Sequence, residues 1–260
     1  MLIASWNVNS ITVRLPHLLD WLKSASPDHL CLQELKTVEE KFPFDQLSEI
    51  GYSAHVVGEK TYNGVAILSK STTECVSKFL PGSPEPLQSR LIEVCVDGVY
   101  ILNLYVPNGS EVGSAKYEYK LAWFKALISY IEERHVKNGV VSDKLVICGD
   151  FNIAPEDRDV HDPAEWVGQV LVSEPERDCF RKLINLGMID SFREFEQGAG
   201  HFSWWDYRMM AFRRKRGMRI DHILVSPPLK EALKRSWIDI EPRKLEKPSD
   251  HAPVIAEFEI

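Results

Sequence analysis

Polar residues stand where several apolar runs end, and their types suit one kind of chemistry. LIASW (2–6) leads into Asn7 and Asn9, and HLCLQ (29–33) into Glu34. VYILNLYV (99–106) carries Tyr105 and runs on to Asn108; KLVICG (144–149) ends at Asp150, then Asn152. RIDHILVS (219–226) contains Asp221, and an unpaired carboxylate inside a buried strand is costly. Asp250 and His251 precede APVIAEFEI (252–260). Loops at strand ends are where α/β sheets commonly hold ligands. If these ends meet, they gather carboxylates, amides, a tyrosine and a histidine. Clustered carboxylates disfavour each other's ionised forms unless a cation joins them. Oxygen donors without Cys–His ligand spacing select a hard ion, Mg²⁺ or Mn²⁺, over Zn²⁺. Such an ion suits phosphate chemistry, with Asp150, Asn152, Tyr105 and His251 available as base, water orienter and donors to the transition state. Singly, each residue has a plainer reading. Glu34 suits a surface loop, Asp150 a helix cap or Asx-turn, Asn7 and Asn9 turns, and His251 a structural role. Their joint occurrence at comparable strand positions favours a site.

The apolar runs above, with GVAILS (64–69) and RLIEVCV (90–96), are rich in Val, Ile and Leu and bounded by turn formers, so they predict strands. Helical spacing predicts helices over 13–24, 117–137 and 177–187, the last stopping at Gly187. Asp97-Gly98 suits a type I′ hairpin, which rules out a purely parallel sheet. Mixed sheets covered by helices follow. No linker or internal repeat divides the chain, so one domain over 1–260 is expected.

Composition sets the outer limits. The chain has 260 residues, 44% hydrophobic and 27% charged, with a net charge of −7, which excludes wholesale disorder. There is no apolar run long enough to cross a membrane and no signal-peptide pattern in MLIASWNVNS. The five cysteines, without CxxC spacing, read as buried thiols in a reducing cytosol. A cytoplasmic monomer is expected. The acidic balance disfavours non-specific coating of nucleic acid but leaves nucleic acid open as a substrate.

The segments WNVN (6–9), LQELK (32–36), NGVAILSK (63–70), LNLYVPNG (102–109), GDFNIAP (149–155), SWWDYR (203–208), RIDHILVS (219–226) and SDHAP (249–253) together resemble exonuclease III, the bacterial apurinic/apyrimidinic endonuclease family of the endonuclease/exonuclease/phosphatase superfamily. The resemblance runs along the whole chain in order. It implies an α/β fold, a four-layer sandwich of two mixed β-sheets packed face to face with helices outside. It implies Mg²⁺-dependent hydrolysis of duplex DNA 5′ to abasic sites, with 3′–5′ exonuclease and 3′-end-cleaning activity. Carried over by position, Glu34 resembles the principal metal ligand, with Asn7, Asp250 and Asn9 nearby. Asp150 resembles the residue that activates water, Asn152 and Asn108 donors to the phosphate, and Tyr105 the stabiliser of the leaving group. Asp221 and His251 resemble a hydrogen-bonded pair. Trp204 and Trp205, with Met218 and Ile220, would form an apolar pocket for an extruded baseless sugar, although one tryptophan is expected to be core.

The run Arg213, Arg214, Lys215, Arg216 and Arg219 reads as phosphate contacts, with Lys36, Arg208 and Lys116 as weaker ones. The chain departs from the family pattern at Leu35, in the absence of an Arg after Asn108, and over 160–176, where a loop could tune substrate preference. A phosphodiesterase or phosphatase of the same superfamily acting on a non-DNA ester is the competing reading; a binding module that lost its chemistry is a third.

Overall fold

A computed structural model describes residues Met1–Ile260. Its strands are β1 (Leu2–Asn7), β2 (His29–Gln33), β3 (Ser53–Val57), β4 (Val65–Ser69), β5 (Glu74–Ser77), β6 (Leu91–Val96), β7 (Val99–Tyr105), β8 (Val136–Lys137), β9 (Val140–Val141), β10 (Lys144–Asp150), β11 (Ile189–Asp190), β12 (Asp221–Val225), β13 (Leu233–Ile238) and β14 (Val254–Phe258). The α-helices are α1 (Ile11–Ala25), α2 (Phe44–Glu49), α3 (Ala115–His135), α4 (Pro163–Trp166) and α5 (Glu174–Asn185).

The two main sheets are six-stranded, ordered β13-β14-β1-β2-β4-β3 and β11-β12-β10-β7-β6-β5. In both, a central parallel pair (β1·β2 and β7·β10) is flanked by antiparallel neighbours. This shared pattern places the chemistry. Parallel partners finish at the same edge, so Asn7 lies beside Gln33 and Tyr105 beside Asp150. The antiparallel neighbours begin there: Asp221 pairs with Asp150, and β14 starts against β1 just after Asp250 and His251. Asp221 is thus the first residue of its strand rather than an interior one, because Arg219 and Ile220 lie outside the ladder.

Apolar side chains from both sheets, among them Ile3, Cys31, Ile67, Val94, Ile101, Cys148 and Ile223, fill the space between them. Trp21 and Leu22 of α1 cover the outer face of the first sheet, and Phe124 and Leu127 of α3 with Phe180 and Leu183 of α5 cover the second. The result is the four-layer sandwich. Asp97 and Gly98 turn β6 into β7 with φ 49° and 76°, both positive as a type I′ turn requires. All five cysteines are free thiols; Cys75 and Cys95 are half-buried rather than buried. No helix is long and apolar enough to cross a membrane.

Candidate active site

The polar strand ends converge at one mouth between the sheets, and local turn chemistry aims them. Asn7, Asn108 and Asp150 each accept a hydrogen bond at one side-chain oxygen from the backbone N–H two residues on, from Asn9, Ser110 and Asn152. These are Asx-turns. The plainer reading of Asp150 therefore holds for its Oδ1, and the turn fixes Oδ2 toward the cleft. Several residues here adopt left-handed backbone despite carrying side chains: Asn9, Ser10, Glu34, Lys36 and Asn152 have φ of 44°, 87°, 53°, 53° and 49°. Such strain, on the order of 1–3 kcal/mol each, persists where surrounding structure enforces it.

Asn7 links the two acids. Its Nδ2 donates to Glu34 Oε1 at 2.7 Å and to Asp150 Oδ2 at 2.9 Å. Asn7 thus faces the acids with N–H groups, and its oxygen is taken by the Asn9 backbone; the expected oxygen ligand is here a bridging donor. Asn9 is likewise engaged: Lys36, which also meets Glu34, donates to its Oδ1, and its Nδ2 donates to Asp250 Oδ1 at 2.8 Å. Asp250 is spent as well, since Trp204 Nε1 donates to its Oδ2 at 3.0 Å. The His251 charge and these donors outweigh burial and hold Asp250 below its ordinary value. Asp250 is therefore an acceptor that fixes Asn9 and Trp204, one step removed from the acids at the centre. The side chains that do bring ligand atoms within 4.8 Å of one another are Glu34, Asp150 and His251.

His251 is held from every side. Its Nδ1 donates to Asp221 Oδ2 at 2.9 Å, Trp6 Nε1 donates to its carbonyl, and its N–H donates to Ser249 Oγ. Its Nε2 faces Asp150 Oδ2 at 3.8 Å. Burial alone would push the imidazole down, but the Asp221 and Asp150 carboxylates prevail and hold it up at about 10. An imidazolium has no lone pair for a cation, so His251 is a donor and not a metal ligand. Burial, reinforced by Asp221 and Glu34 and opposed by His251, pushes Asp150 up to about 7. Burial is the larger part of that rise, and the neighbouring carboxylates add to it. An oxygen-rich set with uncompensated charge fits a hard divalent cation. Glu34 would hold it at the mouth of the cleft: its Oε1 accepts from the Asn7 amide and its Oε2 lies 2.9 Å from Lys36 Nζ, so an ion bound there would take the place of the lysine.

The remaining donors line the same mouth. Asn108 Nδ2 donates to Asn152 Oδ1 at 3.0 Å, and Asn152 Nδ2 to the Val106 carbonyl at 3.0 Å, leaving each amide one free N–H. Burial, then the Glu34 and Asp150 charges, push the Tyr105 phenol well above its ordinary value, so it stays a proton donor. Arg90 lies over its ring at 4.8 Å. Glu34, Lys36, Tyr105, Asn108 and Lys116 line a cavity of about 430 Å³ with Arg90, which the sequence did not single out.

The pocket residues divide. Trp204 is half-buried and lines a cavity of about 390 Å³ with Arg208, Arg216, His161 and Trp166. Trp205 is core, packed among Phe202, Ala211 and Phe212. Met218 and Ile220 are buried behind Trp204 against Val160 and Leu171, so they support the pocket wall without reaching its surface. In the basic run, Arg213, Arg214 and Lys215 are exposed. Arg216 instead pairs with Glu165, Arg208 with Asp206, and Arg219 is buried between Asp159 and Asp190. Spacing alone cannot separate a solvent-facing arginine from one that an acid elsewhere in the chain has claimed. Ser203 was also missed: its hydroxyl donates to Asp221 Oδ2 at 2.6 Å and accepts the N–H groups of Ile220 and Asp221. The visible signal was the Ser before Trp204, overshadowed by the tryptophans.

The Endonuclease/Exonuclease/phosphatase family profile matches residues 4–251. The exodeoxyribonuclease III of Haemophilus influenzae is 35% identical over 271 aligned positions, which span 99% of this chain and 100% of that protein. A 3′ phosphatase from Neisseria, solved with a product DNA hairpin, has a TM-score of 0.95 at 45% identity, covering 100% of both chains. An AP endonuclease from Archaeoglobus fulgidus has a TM-score of 0.94 at 40% identity, again over 100% of both chains.

Proposed function

The chain belongs to the endonuclease/exonuclease/phosphatase family, and on that premise we propose that it is a DNA-repair nuclease that hydrolyses phosphate esters at abasic sites and blocked 3′ ends of duplex DNA. The observation that carries this reading is the meeting of Glu34, Asp150 and the Asp221–His251 pair at one cleft, with side-chain atoms of Glu34, Asp150 and His251 within 4.8 Å of one another.

Each side chain has a task its surroundings suit it for. Asp150, buried and lifted toward neutrality, takes the proton of an attacking water. The His251 imidazolium, oriented by Asp221, donates to a non-bridging phosphate oxygen, as do the free amide N–H groups of Asn152 and Asn108. The protonated Tyr105 hydroxyl supports the departing oxygen. Mg²⁺ or Mn²⁺ held at Glu34 supplies, when bound, neutralisation of the phosphate charge. The products are a 3′-hydroxyl and a 5′-phosphate, or inorganic phosphate from a 3′-phosphate end. Trp204 offers its half-buried ring to the displaced nucleotide, and Arg213 and Arg214 contact the backbone.

The deciding assay offers duplex DNA with one abasic site, and duplex DNA with a 3′-phosphate, with and without Mg²⁺. Hydrolysis that needs the ion and runs faster than on undamaged and single-stranded controls is expected. Hydrolysis untouched by chelator, or a preference for a non-DNA ester, would overturn the proposal.

A further inference from the structure

Lys120 is a charged residue in a place that a charge would not choose. It sits in the second turn of α3 with none of its surface exposed, among tryptophan, phenylalanine and leucine side chains on neighbouring turns. Its ammonium donates to the carbonyl of Asn152 at 2.6 Å and to that of Asn108 at 3.1 Å, and its third partner is the buried carboxylate of Glu176. Glu176 also ends the preceding loop: it accepts the backbone N–H groups of Leu171 and Ser173 at 3.0 and 3.1 Å and closes the capping box of α5. Gly109 leaves the ammonium's stem its room, since a Cβ there would lie 3.1 Å from Lys120 Cδ.

A buried ion pair is a poor way to gain stability, because the desolvation of both charges roughly cancels their attraction. A well-packed apolar pair in the same volume would serve the core at least as well. What an apolar pair cannot do is bind two carbonyls from different loops. Those carbonyls belong to Asn108 and Asn152, whose side-chain amides are joined to each other at 3.0 Å and each keep one N–H free of protein partners.

We propose that Lys120, anchored by Glu176, is a positioning residue that clamps the 106–109 and 150–153 loops from behind and so sets the spacing of the two phosphate-facing amides. The inference deepens the nuclease reading of this cleft and rests on it for its kinetic arm. It also gives the 160–176 segment a task, because the clamp's counter-ion closes that segment.

The test uses the full chain with Lys120→Met and Glu176→Gln combined, which removes both charges and leaves neither buried alone. Amide hydrogen exchange and steady-state kinetics on 3′-phosphate duplex DNA are read together. The clamp predicts faster exchange at 108–110 and 152–154, with the inner strands unchanged, and kcat lower by about 30-fold with KM within about twofold. It further predicts that in an Asn152→Ala background the same pair of changes costs no more than about threefold, since the amide it positions is already gone. Losses that multiply in that background, or unchanged exchange in both loops, would mean that Lys120 only supports the core. An inactive wild-type chain would defeat the nuclease reading, and the exchange arm would still decide the clamp.

Discussion

Strand β12 separates two buried clusters of charge that solve the same problem in opposite ways. Successive side chains alternate faces, so Asp221 points into the cleft and His222 to the far side of the sheet, beneath Phe151 and Phe180. On the His222 side every charge is answered. Arg219 donates to Asp159 at 2.6 Å and to Asp190 at 2.7 Å, and Arg193 pairs with Asp159 as well. Burial acts to raise Asp159, but its two arginines prevail and hold it below the ordinary range. On the Asp221 side, the carboxylates of Glu34, Asp150, Asp221 and Asp250 form close ion pairs only with His251 and Lys36. Burial, with the Asp221 and Glu34 charges added to it, raises Asp150 to about 7. A balanced cluster makes a fold rigid, whereas an unbalanced one holds a readiness to bind positive charge and accept a proton.

The contrast is sharpest in substitutions. Asp150→Asn is expected to lower turnover on abasic or 3′-phosphate duplex DNA by about a thousandfold, the loss of a general base. Its melting temperature should hold or rise, because the neutral amide relieves the crowding of like charges. A fall in stability with activity retained would erase the distinction between the clusters. Arg219→Met should do the reverse. It leaves Asp190 without its cation and Asp159 with Arg193 alone, at a cost of about 3–5 kcal/mol in urea unfolding. The molecules that remain folded should turn over at the wild-type rate, and a selective loss of kcat would extend the catalytic unit across the sheet.

The same division explains what was readable in the sequence. The eight runs predicted as strands are β1, β2, β4, β6, β7, β10, β12 and β14, the four inner strands of each sheet. The edges β3, β5, β11 and β13 went unseen. Inner strands are buried on both faces and so read as continuous apolar runs, whereas edges are short or carry charge, as in LKRSWI of β13. The site was legible for a related reason: Glu34, Asp150 and Asp221 are polar residues abutting those inner strands. Resemblance supplied their roles, but it could not show which partners they take. Asn7 turning its nitrogen to the acids, Asp250 spent on Asn9 and Trp204, and Arg219 claimed by Asp159 all depend on residues distant in the chain. Lys120 was hidden for a different reason: in an i, i+3, i+4 pattern a lysine reads as the solvent face.

The two histidines give a finer test. His222 accepts from Arg219 Nη1 at its Nδ1 and donates from Nε2 to the Ile153 carbonyl, the pattern of a neutral ring. Burial, with the Arg219 charge, pushes it down to about 4. Its folded value lies below the unfolded one near 6.5, so its contribution to stability is complete above pH 6.5. That contribution is lost as pH falls toward 4, by about 3 kcal/mol at most. His251 is held above its unfolded value, so its contribution is complete below pH 6.5 and fades as pH rises toward 10. Unfolding curves of wild type minus His222→Gln and wild type minus His251→Asn should therefore slope in opposite directions between pH 4 and 9. Parallel slopes would place both rings in the same electrostatic setting.

The smallest effect concerns charge that belongs to neither cluster. Arg213 and Arg214 are exposed and form no ion pair, unlike Arg216 and Arg219, which acids have claimed. Free guanidinium groups are available to neutralise DNA phosphates and release their counter-ions. Each such contact contributes a slope of about −0.9 to log affinity against log salt on B-form DNA. Arg213→Ala with Arg214→Ala should flatten that slope by about 1 to 2, with fluorescence anisotropy on an abasic duplex as the measure. Because phosphate contacts carry no sequence information, the loss should be equal on duplexes of different sequence. Arg216→Ala makes the control, since its charge is already offset by Glu165 and its removal should leave the salt slope nearly unchanged. If Arg216→Ala flattened the slope and the double change did not, the paired arginine would be the one that reaches DNA, exchanging Glu165 for a phosphate on binding.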